Sequence, residues 1–247
     1  MNDLTDVPVT LIGASRGLGR VLAETFHALG ADVLVVARGQ QGLDAIARDL
    51  PGVKTLACDA TRPDAPDRVL AVQAPKILVL CGGAMTVNIA FPGLDWDAFN
   101  VSWETDTRIS FNFLKAVLER PLSPGSVVVT MSSGAVVNGS PISGSYAGAK
   151  RMQMYLSSYA QKASDRAGLD LRFVSLAPAR IMAETDLGAA AVRDYAAYNG
   201  TTEAGFLAAI GPAQTTRQVA DAVLELVRDA TNSGHFIVSA EGMAALS

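Results

Sequence analysis

The chain has 247 residues, of which 49% are apolar and 18% charged, enough apolar material for a large buried core and too much for a disordered chain. Its formal net charge is −4 and it contains no run of lysines and arginines, so nucleic acid is excluded as the expected partner. No apolar run reaches the roughly 20 residues that cross a bilayer, and the acidic start Met1-Asn2-Asp3-Leu4-Thr5-Asp6 is unlike a secretory signal; a single domain over 1–247, in the cytoplasm and away from membranes, is the expectation.

Apolar runs at 7–12, 32–37, 53–58, 76–81, 126–131, 170–176 and 234–239 read as strands. They alternate with helical patterns near 17–29, 41–49, 64–73, 96–119, 144–167, 186–209 and 215–230. Uninterrupted apolar strands suit a parallel sheet buried on both faces. The alternation predicts an α/β fold, a doubly wound parallel sheet of seven strands.

After the first strand comes Gly13-Ala14-Ser15-Arg16-Gly17-Leu18-Gly19, and then a helix whose apolar face is Leu18, Val21, Leu22, Phe26 and Leu29, stopped by Gly30. Strand, glycine turn and helix is the setting a dinucleotide motif requires. Glycines let the backbone approach a pyrophosphate, and the helix start offers free N–H groups and a positive dipole end. The second strand ends at Ala37 without the carboxylate that would accept a ribose 2′-hydroxyl, and Arg38 follows it. A guanidinium there suits a 2′-phosphate, with Arg16 as a second charge and Ser15 as a hydroxyl donor. The expected cofactor is therefore NADP(H).

Cys58 and Cys81 each end a strand and are expected as thiols, since a reducing cytosol disfavours disulfides. With two cysteines and two histidines, His27 and His235, no metal site is expected. Farther along, Ser133 lies in M-S-S-G, and Tyr146 and Lys150 stand four apart in Y-A-G-A-K. Positions i and i+4 share a helix face, which brings the ammonium close to the phenol. A free tyrosine, with a pKa of about 10, is a poor proton carrier at neutral pH; a nearby cation favours its ionised form. Ser133 can hold a substrate oxygen against the phenol. The stretch 180–211 is rich in alanine, and its glycines at 188, 200, 205 and 211 would permit movement.

The G-x-x-x-G-x-G spacing, the Ser133, Tyr146 and Lys150 trio and the chain length together resemble the short-chain dehydrogenase/reductase family. That resemblance implies a Rossmann-like fold with strand order 3-2-1-4-5-6-7, a substrate lid at about 180–211, Tyr146 as catalytic acid/base, Lys150 on the nicotinamide ribose and Ser133 on the substrate. It implies cofactor contacts at Gly13, Ser15, Arg16, Gly17, Leu18, Gly19 and Arg38, at Asp59 and Ala60 beside the adenine, at Cys81-Gly82-Gly83, and at Pro178, Ala179 and Ile181. There are departures. Ile12 stands where the family has threonine, Leu80 and Cys81 replace two asparagines, and Ala183 falls near a threonine that contacts the nicotinamide. At the place of a catalytic asparagine in the proton relay, alignment of the helix puts Asp106, whereas spacing from Trp96 puts Trp103.

The reading is reversible hydride transfer between NADP(H) and a small carbonyl or alcohol substrate. The rivals are lyase or epimerase chemistry with a recycled nicotinamide, and a cofactor-sensing protein without turnover. Val136, Val137, Ile142 and Ile181 suggest a partly apolar substrate. One helix cannot turn Met152, Met154, Tyr155, Leu156 and Tyr159 all toward one sheet, so some should face a partner, and the resemblance implies a homodimer or homotetramer through that helix.

Overall fold

The computed structural model describes residues 4–246; Met1–Asp3, part of the acidic start, and Ser247 lie outside the described residues. Strands β1 (Pro8–Ile12), β2 (Asp32–Ala37), β3 (Lys54–Ala57), β4 (Ile77–Leu80), β5 (Val127–Met131), β6 (Arg172–Pro178), β7 (Gly234–Ser239) and β8 (Gly242–Ala245) form one sheet in the order β3-β2-β1-β4-β5-β6-β7-β8. β1 through β7 pair in parallel, and β8 folds back antiparallel on β7. The sheet thus has eight strands, not the seven expected. Gly-Met-Ala-Ala is short and has no β-branched or aromatic residue to mark it as extended, and it becomes a strand because the turn at Ala240-Glu241 returns it to the edge of β7.

Alternation along the strands assigns their side chains to two cores. Val9, Leu11, Val33, Val35, Ile77, Val79, Val127 and Val129 face one side, where Leu22 and Phe26 of α1 (Gly17–Ala28) cover them. Leu43 and Ile46 of α2 (Gln40–Asp49) complete that core. Ile12, Leu34, Val36, Leu78, Leu80 and Val128 face the other side, under Val69 of α3 (Ala65–Val72). Each large side chain taken wholly out of water contributes about 1.5–3 kcal/mol before ordering costs, so a strand that is apolar on both faces is stable only with helices on both sides of the sheet.

The helix expected over 96–119 is one path of α4 (Trp96–Ser102), a single π turn (Trp103–Thr107) and α5 (Arg108–Glu119). After β5 come α6 (Ala135–Asn138) and the long α7 (Tyr146–Ala167). The helix expected over 186–209 is instead two, α8 (Asp186–Tyr198) and α9 (Glu203–Ile210). Gly200 at φ +64° ends the first, and the Thr202 hydroxyl caps the second by accepting from Gly205 N at 3.0 Å. Tyr195 and Phe206 then stack, ring centroids 5.6 Å apart, in a small core of their own with Val192 and Ala196. α10 (Thr216–Arg228) returns to pack beside α1.

The chain winds outward from β1 to β3, then crosses to the other side of β1 to make β4. That reversal opens a crevice at the carboxyl ends of β1 and β4, where ligands bind in open α/β sheets.

Candidate active site

Two glycine turns meet at the reversal. Gly13 has φ +81°, and a Cβ there would lie 2.3 Å from Gly82 Cα and 2.6 Å from Gly82 N. A Cβ on Gly19 would lie 2.5 Å from Ala14 Cα. Gly13 N and Ala14 N both donate to Val36 O, at 2.8 and 3.3 Å, tying the turn to the end of β2. Arg16 is the N-cap of α1 in extended conformation, no side chain caps the helix, and its first turn holds no acid. The free N–H groups and the missing Cβ atoms together make a cradle that fits a pyrophosphate. Leu18 begins the apolar face of α1, and Ser15 packs against Gly42, where a Cβ would meet it at 2.9 Å.

The two arginines behave differently. Arg38 is exposed and, among the described residues, has no ion-pair partner. Its charge reaches Asp59 in the loop after β3. Burial tends to raise the Asp59 carboxyl, but hydrogen bonds from Thr61 N–H and Oγ–H, with Arg38 and Arg62 nearby, hold it below the ordinary aspartate value. Ala60 is buried beside it. Arg16 instead pairs with Asp186 at the start of α8, Nη1 to Oδ2 at 2.8 Å.

Tyr146 and Lys150 occupy the first two turns of α7. Tyr146 is half-buried, and the Lys150 ammonium lies 5.6 Å from the centre of its ring. Lys150 Nζ donates to Met131 O at 3.1 Å at the end of β5 and stands 3.1 Å from Asp106 Oδ2. The contact with Asp106 is an ion pair rather than an aligned hydrogen bond, since Oδ2 receives no well-directed donor. Burial, the largest single influence, lowers the affinity of Lys150 for its proton, but Asp106, with Tyr146 and Cys81 adding to it, outweighs burial and the net shift is upward. The ammonium is therefore a fixed charge, with donor capacity left beyond Met131 and Asp106.

Of the two candidates for the relay position, the structure brings Asp106 to Lys150 and leaves Trp103 39% exposed. Asp106 sits in the π turn, 1% exposed, and Oδ1 accepts from Ala84 N at 2.8 Å. Gly83 has room for it only because a Cβ there would fall 2.9 Å from Oδ2. Gln153, one turn beyond Lys150 on the buried face of α7, donates Nε2 to Asp106 O at 3.1 Å and to Ser110 Oγ at 2.8 Å. Sequence reasoning passed over Gln153, although a glutamine three residues after Lys150 on the face it shares with Tyr146 was the signal. Cys81 is partly exposed as a residue, yet its thiol is enclosed; burial pushes it up to about 12 against the pull of Lys150.

Ser133 follows β5, and its Oγ accepts from Ala135 N at 3.3 Å. Its neighbour Ser132 donates to Lys150 O at 3.0 Å, fastening the loop to α7. Pro178 and Ala179 end β6, and their carbonyl oxygens lie 3.0 and 2.8 Å from where a Gly134 Cβ would be, so β6 and the Ser133 loop are in close contact. Ile181 and Ala183 turn into the small core under α8 and α9. The threonine that faces the glycine turn is Thr185, whose side chain lies 3.6 Å from a Cβ built on Gly17 and caps α8 by accepting from Gly188 N at 3.0 Å. Its signal was threonine immediately before a helical run. Gly188 is no hinge, since a Cβ there would meet Met182 O at 1.9 Å, whereas Gly200 and Gly211 border open space.

A doubly wound parallel sheet with paired glycine turns at its reversal, and a tyrosine–lysine pair beside them, defines a Rossmann-like α/β protein. Residues 8–196 match the family model for short chain dehydrogenase, and the chain belongs to that family. It is 30% identical to an L-xylulose reductase of Bos taurus over 129 residues, 51% of this chain and 53% of that protein. It is 35% identical to the 3-oxoacyl-(acyl-carrier-protein) reductase FabG of Escherichia coli (strain K12) over 141 residues, 51% and 57% of the two chains. A carbonyl reductase (NADPH) 2 of Sus scrofa is 27% identical over 120 residues, 47% and 49%. The chain spans about half the length of the curated relatives it matches.

Proposed function

We propose that the protein is an NADP(H)-dependent oxidoreductase acting on a carbonyl/alcohol pair. The observation that carries this is the Lys150 ammonium, buried and fixed by Met131 O and Asp106 beneath the Tyr146 ring, at the same sheet edge as the Gly13–Gly19 cradle. The reductase names of the relatives, one specifying NADPH, point the same way. The glycine turn and the first turn of α1 would hold the pyrophosphate, Arg38 the 2′-phosphate, Asp59 the adenine end and Lys150 the ribose. When bound, the dinucleotide supplies or accepts the hydride.

The chain's own groups handle the oxygen and its proton. In reduction, Ser133 Oγ–H and Tyr146 Oη–H donate to the substrate oxygen, and charge developing there draws the Tyr146 proton across. Serine keeps the oxygen within reach, so the transfer needs no rearrangement. Lys150 stays charged throughout and stabilises the phenolate left behind, and Asp106 and Met131 keep its ammonium at one place. Oxidation runs through the same groups in reverse.

Tyr146→Phe tests the reading. NADPH consumption, followed with a panel of small ketones and sugars, should fall at least a hundredfold, the low end of what acid–base catalysis contributes, while NADPH binding stays within a few-fold. Unchanged turnover refutes it. Tyr155 and Tyr159, 43% and 57% exposed and stacked on the outer face of α7, are the surface we propose for self-association.

A further inference from the structure

The cradle is roofed from a distant part of the chain. Arg16 Nη1 meets Asp186 Oδ2 at 2.8 Å across 170 residues of sequence, and the Thr185 side chain lies over Gly17. The carboxylate is not a passing surface contact, because the backbone beneath it is fixed at three points. Thr185 caps α8 through Gly188 N and donates to Met182 O at 2.9 Å. Gly188 is pressed against Met182 O too closely for any side chain. Glu184 accepts from both Thr216 N and Thr216 Oγ1, each at 2.6 Å, which anchors the segment to α10. Asp186 itself sits in the first turn of α8, a favourable place for an acid.

Arg16 and Arg38 lie in the turns that follow β1 and β2. β1 and β2 pair with Ile12 opposite Val36, so both arginines follow the carboxyl ends of adjacent strands, which lie about 4.8 Å apart. Arg38 meets a ligand with its charge free, whereas the charge of Arg16 is already offset by Asp186.

We propose that Asp186 is a specificity-determining residue which moderates the preference for a 2′-phosphorylated dinucleotide by competing for Arg16. This rests on the NADP(H) reading above. A 2′-phosphate reaching Arg16 must share one guanidinium with a fixed carboxylate; a cofactor that carries only a ribose hydroxyl leaves the Arg16–Asp186 pair intact. Both side chains of the pair are 66% exposed, so solvent screens the competition and the effect is modest.

The test is direct binding, read by nicotinamide fluorescence with no substrate present. Asp186→Asn should bind NADPH roughly two- to five-fold more tightly at low ionic strength, the range open to so exposed a pair, with NADH unchanged and the gain fading toward 1 M salt. Placed on Arg16→Gln, the same change should do nothing. Arg16→Gln alone should cost NADPH less than Arg38→Gln does. Unchanged or weaker NADPH binding by Asp186→Asn overturns the proposal, as does an equal gain for NADH, a gain that survives in Arg16→Gln, or an Arg16→Gln loss at least as large as that of Arg38→Gln. A wild-type protein that binds NADH but not NADPH removes the cofactor reading and the proposal with it, whereas tight NADPH binding indifferent to Asp186 removes the proposal alone.

Discussion

Replacing Lys150 by methionine removes the cation and leaves an uncompensated charge inside the protein. Asp106 is 1% exposed and Lys150 has a side chain 7% exposed. Without the ammonium, the carboxylate retains the single hydrogen bond from Ala84 N, and Oδ2 is left with nothing. Removing one partner of a buried pair costs about 3–5 kcal/mol, because the remaining charge keeps its desolvation penalty. A chain of this size loses roughly 2–4 °C of Tm per kcal/mol, so Lys150→Met should lower Tm by roughly 6–20 °C. Measurements belong at fixed protein concentration and without cofactor, since anything that binds the folded state raises Tm. Adding Asp106→Asn to Lys150→Met removes the stranded charge and should recover much of the loss, giving a strongly non-additive cycle. A Tm for Lys150→Met within 2 °C of wild type, or additive effects of the two changes, would refute the claim that the pair is a charge-compensated unit.

Two further outcomes follow from the same structure. Gly13→Ala sets a Cβ 2.3 Å from Gly82 Cα at φ +81°; left-handed strain of about 1–2 kcal/mol adds to overpacking of about 1–3 kcal/mol, so urea unfolding should show a loss of roughly 2–5 kcal/mol. Gly148→Ala, inside α7 where an added Cβ meets nothing, should gain about 0.5–1 kcal/mol; equal behaviour of the two variants would contradict the close approach of the glycine turns. His235 bridges Ser175 Oγ at 2.5 Å and Ser158 Oγ at 2.8 Å, and burial, with Arg151 adding to it, holds its pKa below the usual value. The folded state thus favours neutral His235. Its contribution is present above an unfolded pKa of about 6.5 and is lost as the pH falls through the lowered folded value. Tm should decline between pH 7.5 and 5.5 more steeply in wild type than in His235→Gln, and parallel declines would show that His235 is not the group responsible.

Most of the framework was legible because it depends on patterns that repeat over a few residues. A strand such as Ile77–Leu80 is apolar without interruption, which only a sheet covered on both faces can accommodate. Glycine spacing after β1 marked the crevice, and the i, i+4 rule put Tyr146 above Lys150 before any fold was known. The break between α8 and α9 was also written in the chain, as Asn199-Gly200-Thr201-Thr202, a stop followed by a cap, and was hidden by the alanine-rich sequence around it.

Other features had no local signal. Spacing from Trp96 pointed to Trp103, but it is Asp106, in the π turn over Trp103–Thr107, that reaches Lys150. What stabilises that wide turn is Gln153, on another helix. β8 exists because β7 offers it an edge, and Gly-Met-Ala-Ala by itself has no reason to be extended. Arg16 reads as a free cofactor ligand until the lid start brings Asp186 to it from 170 residues away. Sequence alone determined which residues are apolar, flexible or titratable, and so the layers of the fold and the tyrosine–lysine pair on α7. The tertiary structure decided which charges are compensated and which remain free, because a charge's energy is set by its neighbours in space and by the water they exclude.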